Sequence, residues 1–218
     1  MLRYPPLEVT ATTPRIKLVG ASDELLERLA PLVRSGKAMA DPPPYDDPMS
    51  LYEENPETRE AKWLQGIWRG RGSATNDFWR LYFAVILDGE PVGMQDMVGQ
   101  SFNDLGIVTT FSWLSEDVRG RGLGKEMRQA ILHLAFEGFG AKEATTEGFL
   151  DNPGSNGVSR ALGYQANGFE WATRRGEPAQ LQRWRLTRQE WSTRRRDDIE
   201  LHGIEACAHT LGIQPNKL

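Results

Sequence analysis

Arg119-Gly-Arg-Gly-Leu-Gly124, running into Lys125-Glu-Met-Arg-Gln-Ala-Ile-Leu-His-Leu-Ala-Phe-Glu137, is the stretch on which the reading of this chain turns. Met127, Ala130, Ile131, Leu134 and Ala135 recur at helical spacing, so residues 124–137 form a helix with one apolar face for packing on a sheet. Ahead of it, Gly120, Gly122 and Gly124 let the backbone turn tightly and expose successive N–H groups. The helix contributes the positive end of its dipole, and Arg119, Arg121 and Lys125 add charge, so the loop suits an anion such as a pyrophosphate. The competing reading is a plain glycine-rich connection with surface arginines, and the loop alone does not decide between them. Two familiar nucleotide loops are excluded. A Walker loop needs Gly-Lys-Ser/Thr, whereas Glu126 follows Gly124-Lys125. A Rossmann fingerprint sits early, in a parallel βαβ unit, whereas a meander precedes this loop.

That meander is read from apolar runs. Residues 81–87 have the length and composition of a central strand, Asp88-Gly89 is a hairpin turn, and residues 91–98 return. Asn103-Asp-Leu-Gly106 turns the chain again into a strand over 107–114. Upstream, residues 14–20 form a strand. Ser22 caps a helix with Leu25, Leu26, Leu29, Leu32 and Val33 on one face, closed by Gly36. The proline-rich residues 41–50 form a loop. Asn55-Pro56 opens a second helix with a stripe of Trp63, Leu64, Ile67 and Trp68, which Arg69-Gly-Arg-Gly-Ser leaves. Downstream come a strand over 143–149, a short helix over 155–162 closed by Gly163, and a late strand over 180–186. Thr187-Arg-Gln-Glu190 is a capping box opening a C-terminal helix. The order predicts a mixed α/β layer with helices on both faces of the sheet.

Composition narrows the classes. The 218 residues are 26% charged and 39% hydrophobic, as expected of one soluble domain with extensions. The expected parts are an N-terminal segment (1–11), the domain (12–190) and a helical extension (191–218). No apolar run approaches the ~20 residues of a membrane span, and the start has no signal core. A net charge of −4 lacks the basic footprint of a nucleic-acid binder. Three histidines and one cysteine are too scattered for a structural metal site, and a lone Cys207 fits a reducing, cytoplasmic setting.

A second motif lies beyond the next strand: Asp151-Asn-Pro-Gly-Ser155-Asn-Gly-Val-Ser-Arg-Ala-Leu162-Gly163-Tyr164. Together the two resemble the GCN5-related N-acetyltransferase (GNAT) superfamily. Arg119-x-x-Gly122-x-Gly124 is similar to its coenzyme A pyrophosphate loop, and residues 152–164 to its Asn-x-x-Ser…Leu-Gly-Phe/Tyr segment. The fuller pattern resembles the ribosomal-protein N-terminal acetyltransferase (RimJ/RimL-type) branch. Trp113-Leu114, Glu126-Met-Arg128, Arg175-Gly-Glu177 and the long C-terminal segment are similar to actinobacterial members.

The resemblance implies a mostly antiparallel sheet, splayed where the pantetheine arm of acetyl-CoA pairs with about residues 111–114. It implies a cofactor set of Trp113, Leu114, Arg119, Gly120, Arg121, Gly122, Leu123, Gly124, Lys125, Asn152 and Ser155. It implies direct acyl transfer to an amine: a protein N-terminus, a lysine or a small molecule. A succinyl or other longer acyl donor, and a non-catalytic coenzyme A sensor, stay open. Ser155 matches the serine that protonates the leaving thiolate; as a residue it is equally a helix N-cap, and both roles are compatible. Related enzymes carry a glutamate where Asn167 stands, so Glu147, or Asp96, is the substitute base, each otherwise a solvated or salt-bridged carboxylate. Tyr164 is expected in the core with its hydroxyl at the edge. Trp63 and Trp68 are expected to pack, or else to line the acceptor pocket beneath a lid at 42–44. The charge cluster at 194–198 and the amphipathic stretch after it suit a subunit contact.

Overall fold

The structure, a computed structural model, describes residues 4–43 and 51–214. In chain order it contains β1 (Thr10–Thr12), β2 (Ile16–Gly20), α1 (Asp23–Arg34), α2 (Pro56–Gly72), β3 (Phe78–Leu87) and β4 (Glu90–Gln100). A single turn, α3 (Phe102–Leu105), leads to β5 (Ile107–Leu114), α4 (Leu123–His133), β6 (Glu143–Phe149) and α5 (Pro153–Ala161). The chain ends in β7 (Gln165–Arg174), β8 (Glu177–Thr187), α6 (Arg188–Ser192), β9 (Glu200–His202) and α7 (Ile204–Leu211). The nine strands form one sheet in the order β7-β8-β6-β5-β4-β3-β2-β1-β9. Neighbours pair antiparallel except β5 and β6, which the α4 crossover forces to run parallel.

The period of two along β3 sorts the core into two halves. Leu81, Phe83 and Val85 point to one face, where they meet Met127, Ala130, Ile131 and Leu134 of the α4 segment. Tyr82 and Ala84 point to the other, where Leu26, Leu29 and Val33 of α1 and Trp63 and Ile67 of α2 cover them. The helices therefore stand on both faces, as the sequence predicts. Trp63 is buried in that second core, whereas Trp68 is 49% exposed on the outer side of α2.

Several local expectations are corrected. α2 does not end at Arg69 but runs to Gly72. Gly70 lies against β3, where a Cβ would overlap the Tyr82 hydroxyl, so this glycine is a close helix–sheet contact and not an exit. The hairpin β7–β8 is longer than the late strand expected at 180–186. All but two residues of β7 are exposed, so it shows no apolar alternation, and a register shift between Ala166 and Phe169 breaks its pattern further. α5 begins at Pro153, two residues early, because Asn152 and not Ser155 is its N-cap.

The segment expected as a helical extension is woven into the same sheet. β9 pairs with β1, and Cys207, Ala208, Leu211 and Ile213 are buried in the α4-side core. Among the described residues no helix is long and apolar enough to cross a membrane. The expected loop at 41–50 is described only to residue 43, so most of it, and the end of the proposed lid, lies outside the described residues.

Candidate active site

β5 and β6 pair only from Ile107↔Glu143 to Thr109↔Thr145. One rung further, the Thr146 hydroxyl donates to the Thr110 carbonyl at 3.1 Å, and the strands then part. The V between them opens into a cleft of about 440 Å³. Its walls include Trp113 and Leu114 from β5, Gly120, Gly122, Gly124 and Lys125 from the loop, and Asn152 and Ser155 from α5, with Glu147 of β6 at the mouth. A hollow of about 520 Å³ between α1 and α2, lined by Leu26, Ala30, Leu64 and Trp68, is a less convincing site. It has no glycine loop and no converging donors.

The glycine loop is shaped by two left-handed residues, Gly120 (φ 76°) and Gly122 (φ 78°), which only glycine adopts without strain. Gly122 sits at the N-cap of α4 with no side chain to cap it, leaving the first-turn amides for another acceptor. Gly124 is not left-handed. A Cβ there would point past Val158 and Leu114 at 3.9 and 4.0 Å, so protein packing does not demand glycine. The open space is what an approaching ligand needs, and the loop fits a pyrophosphate on that ground.

The loop is held from outside by side chains that grip backbone carbonyls. Arg119 donates from Nε to Leu114 O at 2.9 Å and from Nη2 to Met39 O at 2.6 Å. Arg121 donates to Asp117 O at 2.9 Å. Arg15 donates to Arg121 O at 3.1 Å and from Nε to Glu126 Oε2 at 2.5 Å. Thr13 adds a bond to Glu126 Oε1 at 2.7 Å. Burial pushes the Glu126 carboxyl up, but the Thr13 and Arg15 bonds outweigh it and hold the carboxyl below its ordinary value. Arg119 thus turns Nε and Nη2 to stiffening the loop, whereas Arg121 turns only Nη2 inward. Lys125 is exposed, on the cleft wall, with no partner among the described residues. Arg121 and Leu123 are not on that wall, and Leu123 is buried in the core.

At the other wall Asn152 Oδ1 accepts from the Ser155 amide at 3.0 Å, which is the cap of α5. The Ser155 hydroxyl is thereby left without a hydrogen bond, facing the cleft at the positive end of a helix. Glu147 is open to solvent, yet the concave walls strip part of its hydration and push its carboxyl above the ordinary glutamate value. Glu170 adds to the rise and Arg183 opposes it. Asp96 is instead buried and bonded by Arg80 Nε at 2.6 Å, so it is a structural ion pair and no base. Asn167 is exposed in the β7 bulge, away from the cleft wall. Tyr164 is in the core, but its hydroxyl is buried without a partner instead of reaching an edge.

The lining also includes Thr110, Arg128 and Thr146, which periodicity alone does not single out. Arg128 lies beside the apolar stripe of α4 and reads there as part of a solvated face.

A glycine loop at a helix N-terminus, beside a V opened in a mixed sheet, is matched by a known family. The family described as Acetyltransferase (GNAT) domain covers residues 15–165. The chain belongs to the GNAT family. It is an acyl-CoA-dependent N-acetyltransferase by that membership, with acyl-CoA as its cosubstrate. Solved GNAT structures share the fold. The acetyl transferase from Salmonella typhimurium that modifies the N-terminal serine of ribosomal protein L7/L12 superposes with TM-score 0.64 at 19% identity, over 83% of this chain and 99% of that one. RimL, the ribosomal L7/L12 α-N-protein acetyltransferase, in complex with coenzyme A gives 0.61 at 16%, over 80% and 95%. The microcin C7 self-immunity acetyltransferase MccE, with acetyl-CoA and AMP, gives 0.62 at 14%, over 80% and 93%.

Proposed function

We propose that this GNAT protein transfers an acyl group from acyl-CoA directly to a primary amine, with Glu147 as general base and Ser155 as the acid for the leaving thiolate. The observation that carries the reading is the placement of these two side chains in one cleft with the glycine loop. In this reading the loop amides and Lys125 hold the pyrophosphate, and residues 111–114 run beside the pantetheine arm. Trp113, Leu114 and Asn152 complete the donor wall. The amine nitrogen attacks the thioester carbonyl carbon as Glu147, by its raised affinity for a proton, removes the amine proton. As the carbon–sulfur bond breaks, Ser155 gives its proton to sulfur, and the dipole of α5 steadies the negative charge.

The acceptor enters from the α1/α2 face. Arg174 there bonds Pro43 O at 3.3 Å and Arg175 bonds Tyr52 O at 3.2 Å, so the β7–β8 turn is tied to residues 43 and 52 beside that face. Ribosomal protein L7/L12 is the acceptor named for the RimL-type neighbours, and a terminal amine of a protein is the acceptor to test first. A cytoplasmic setting follows from where acyl-CoA is made. Mass spectrometry of amine-bearing peptides and small amines incubated with enzyme and acetyl-CoA tests the reading. An added acyl mass that depends on Glu147 and Ser155 supports it; coenzyme A binding with no acylated product across the panel would leave a sensor instead.

A further inference from the structure

The inference rests on the acyl-transfer reading and concerns which acyl group is carried. Arg128 leaves α4 one turn past Gly124 and is 4% exposed, yet it lines the cleft. Its Nε and Nη1 are buried with no hydrogen-bond partner, and it forms no ion pair among the described residues. Two further buried polar atoms without a well-formed hydrogen bond are the Thr110 hydroxyl oxygen and the Tyr164 hydroxyl. Thr110 also lines the cleft. It pairs with Met97, whose side chain packs with Met127 in the α4-side core, so Thr110 faces the helix that carries Arg128. Tyr164 lies close to both: burial pushes its hydroxyl up, and the Arg128 charge, with hydrogen bonding toward Arg128 and Thr110, opposes the rise. Asp96, the nearby buried carboxylate, is engaged by Arg80.

Buried donors are almost always satisfied, and an uncompensated guanidinium is among the costliest groups to bury. Here Arg128 and Thr110 line one end of the V with the Tyr164 hydroxyl behind them, and among the described residues the guanidinium has no carboxylate of its own. That end is defined by the strands. Leu114 lies at the glycine loop, and Thr110 stands at the point where β5 and β6 part, about 13 Å back along the strand. A donor whose phosphates sit on the loop and whose arm follows β5 delivers its acyl end to Thr110 and Arg128. An acetyl methyl placed there would leave the buried guanidinium without an anion. A carboxylate would take two parallel N–H bonds from the guanidinium and further bonds from the hydroxyls.

We propose that Arg128, with Thr110 and Tyr164, forms a subsite for an acyl group ending in a carboxylate, so that the preferred donor is the coenzyme A mono-thioester of a short dicarboxylic acid. The chemistry at the thioester is unchanged. The amine nitrogen bonds to the carbonyl carbon, the carbon–sulfur bond breaks, the amine proton goes to Glu147 and sulfur takes a proton from Ser155. The distal carboxylate does not react. It ends on the product, turning a cationic amine into an anionic amide.

Calorimetry with coenzyme A, butyryl-CoA and succinyl-CoA tests this, because the last two have four-carbon acyl chains and differ in the terminal charge. The wild type is expected to bind succinyl-CoA roughly ten- to a hundredfold tighter than butyryl-CoA, the gain typical of charge-assisted hydrogen bonds. In Arg128→Leu, checked for folding by its melting curve, that ratio should fall toward one, and Arg128→Lys should recover part of it. Equal affinity of the wild type for the two donors overturns the proposal even if no variant folds. So does an Arg128→Leu protein that weakens coenzyme A, butyryl-CoA and succinyl-CoA alike, which would assign Arg128 to the pantetheine arm. Failure of all three to bind would overturn the acyl-transfer reading itself, a separate outcome.

Discussion

The two walls of the V are built differently. The donor side is built from two short contiguous segments, 111–125 and 152–155, gripped by backbone-directed bonds: Arg119 on Leu114 O and Met39 O, Arg15 on Arg121 O, Asn152 on the α5 amide. The β7–β8 hairpin beside Glu147, on the proposed acceptor side, is assembled more loosely: Glu170 and Arg183 form an ion pair at 3.5 Å with both partners about half exposed, and Phe169 and Trp171 stand 63% and 68% exposed on β7. A pair so exposed contributes little, and a strand so bare is held mainly by its partner β8. Rigid scaffolding at one wall and looser assembly at the other suit a donor that is common to a family and an acceptor that varies.

The sharpest way to break this comparison is Gly124→Val. On the rigid wall the added side chain fills the phosphate cradle without straining the backbone, so coenzyme A should no longer bind while the melting point without ligand holds. Unchanged affinity by calorimetry would remove the loop from the donor site. Next in size, Ser155→Ala should lower turnover by about 10²–10⁴-fold with Michaelis constants little changed. Because Asn152 is the cap, the same variant should melt normally. A large fall in stability with full turnover per folded molecule would return Ser155 to a structural role.

Glu147→Gln belongs to the looser wall and should cost about 10²-fold, near the low end for a base that water can partly replace. In the wild type, kcat/KM should rise with pH through a group above the ordinary glutamate range, since the proposed base must be deprotonated and the Glu147 carboxyl is pushed up. A profile whose acid limb survives in Glu147→Gln would point to another base. The smallest effects are thermodynamic. Asn152→Ala should cost ~0.5–2 kcal/mol as a lost cap, read by denaturant unfolding. Glu126 has a folded-state proton affinity below its unfolded one, so its contribution is complete above the unfolded pKa of about 4.3 and fades as pH falls through the lower folded value. Glu126→Gln should therefore be less stable than wild type at neutral pH, with the gap closing in acid. A gap that is constant with pH would show that the charge is not what Glu126 contributes.

What was legible follows the same division. The loop and the Asn152–Tyr164 segment are each contiguous motifs, and their spacing relative to α4 and β6 is enough to expect both at one cleft, where Gly120, Gly122, Gly124, Asn152 and Ser155 indeed meet. The two-faced sheet is legible because residues 81–87 of β3 are an unbroken apolar run, which supplies side chains to both faces. The hairpin strand β7 was not, because a strand exposed on both faces carries no periodic signature. The cap of α5 was misassigned for a local reason: Asn152 and Ser155 are both good caps three residues apart, and Pro153 at the first helical position is what selects Asn152. Arg128 was hidden by the opposite problem. One charged residue beside an apolar stripe looks solvated until the sheet and the Tyr164 segment close over it.

The pairing of β9 with β1 carries a consequence for how the chain is made. Thr10–Thr12 and Glu200–His202 are neighbours in the sheet but lie almost a chain length apart, the kind of contact that closes late because its loop entropy must be met first. During synthesis β1 and the apolar floor that α7 covers stay exposed until residues 200–211 have been made. Before then β1 presents a free strand edge on that side, so a stalled or prematurely terminated chain is an aggregation-prone one.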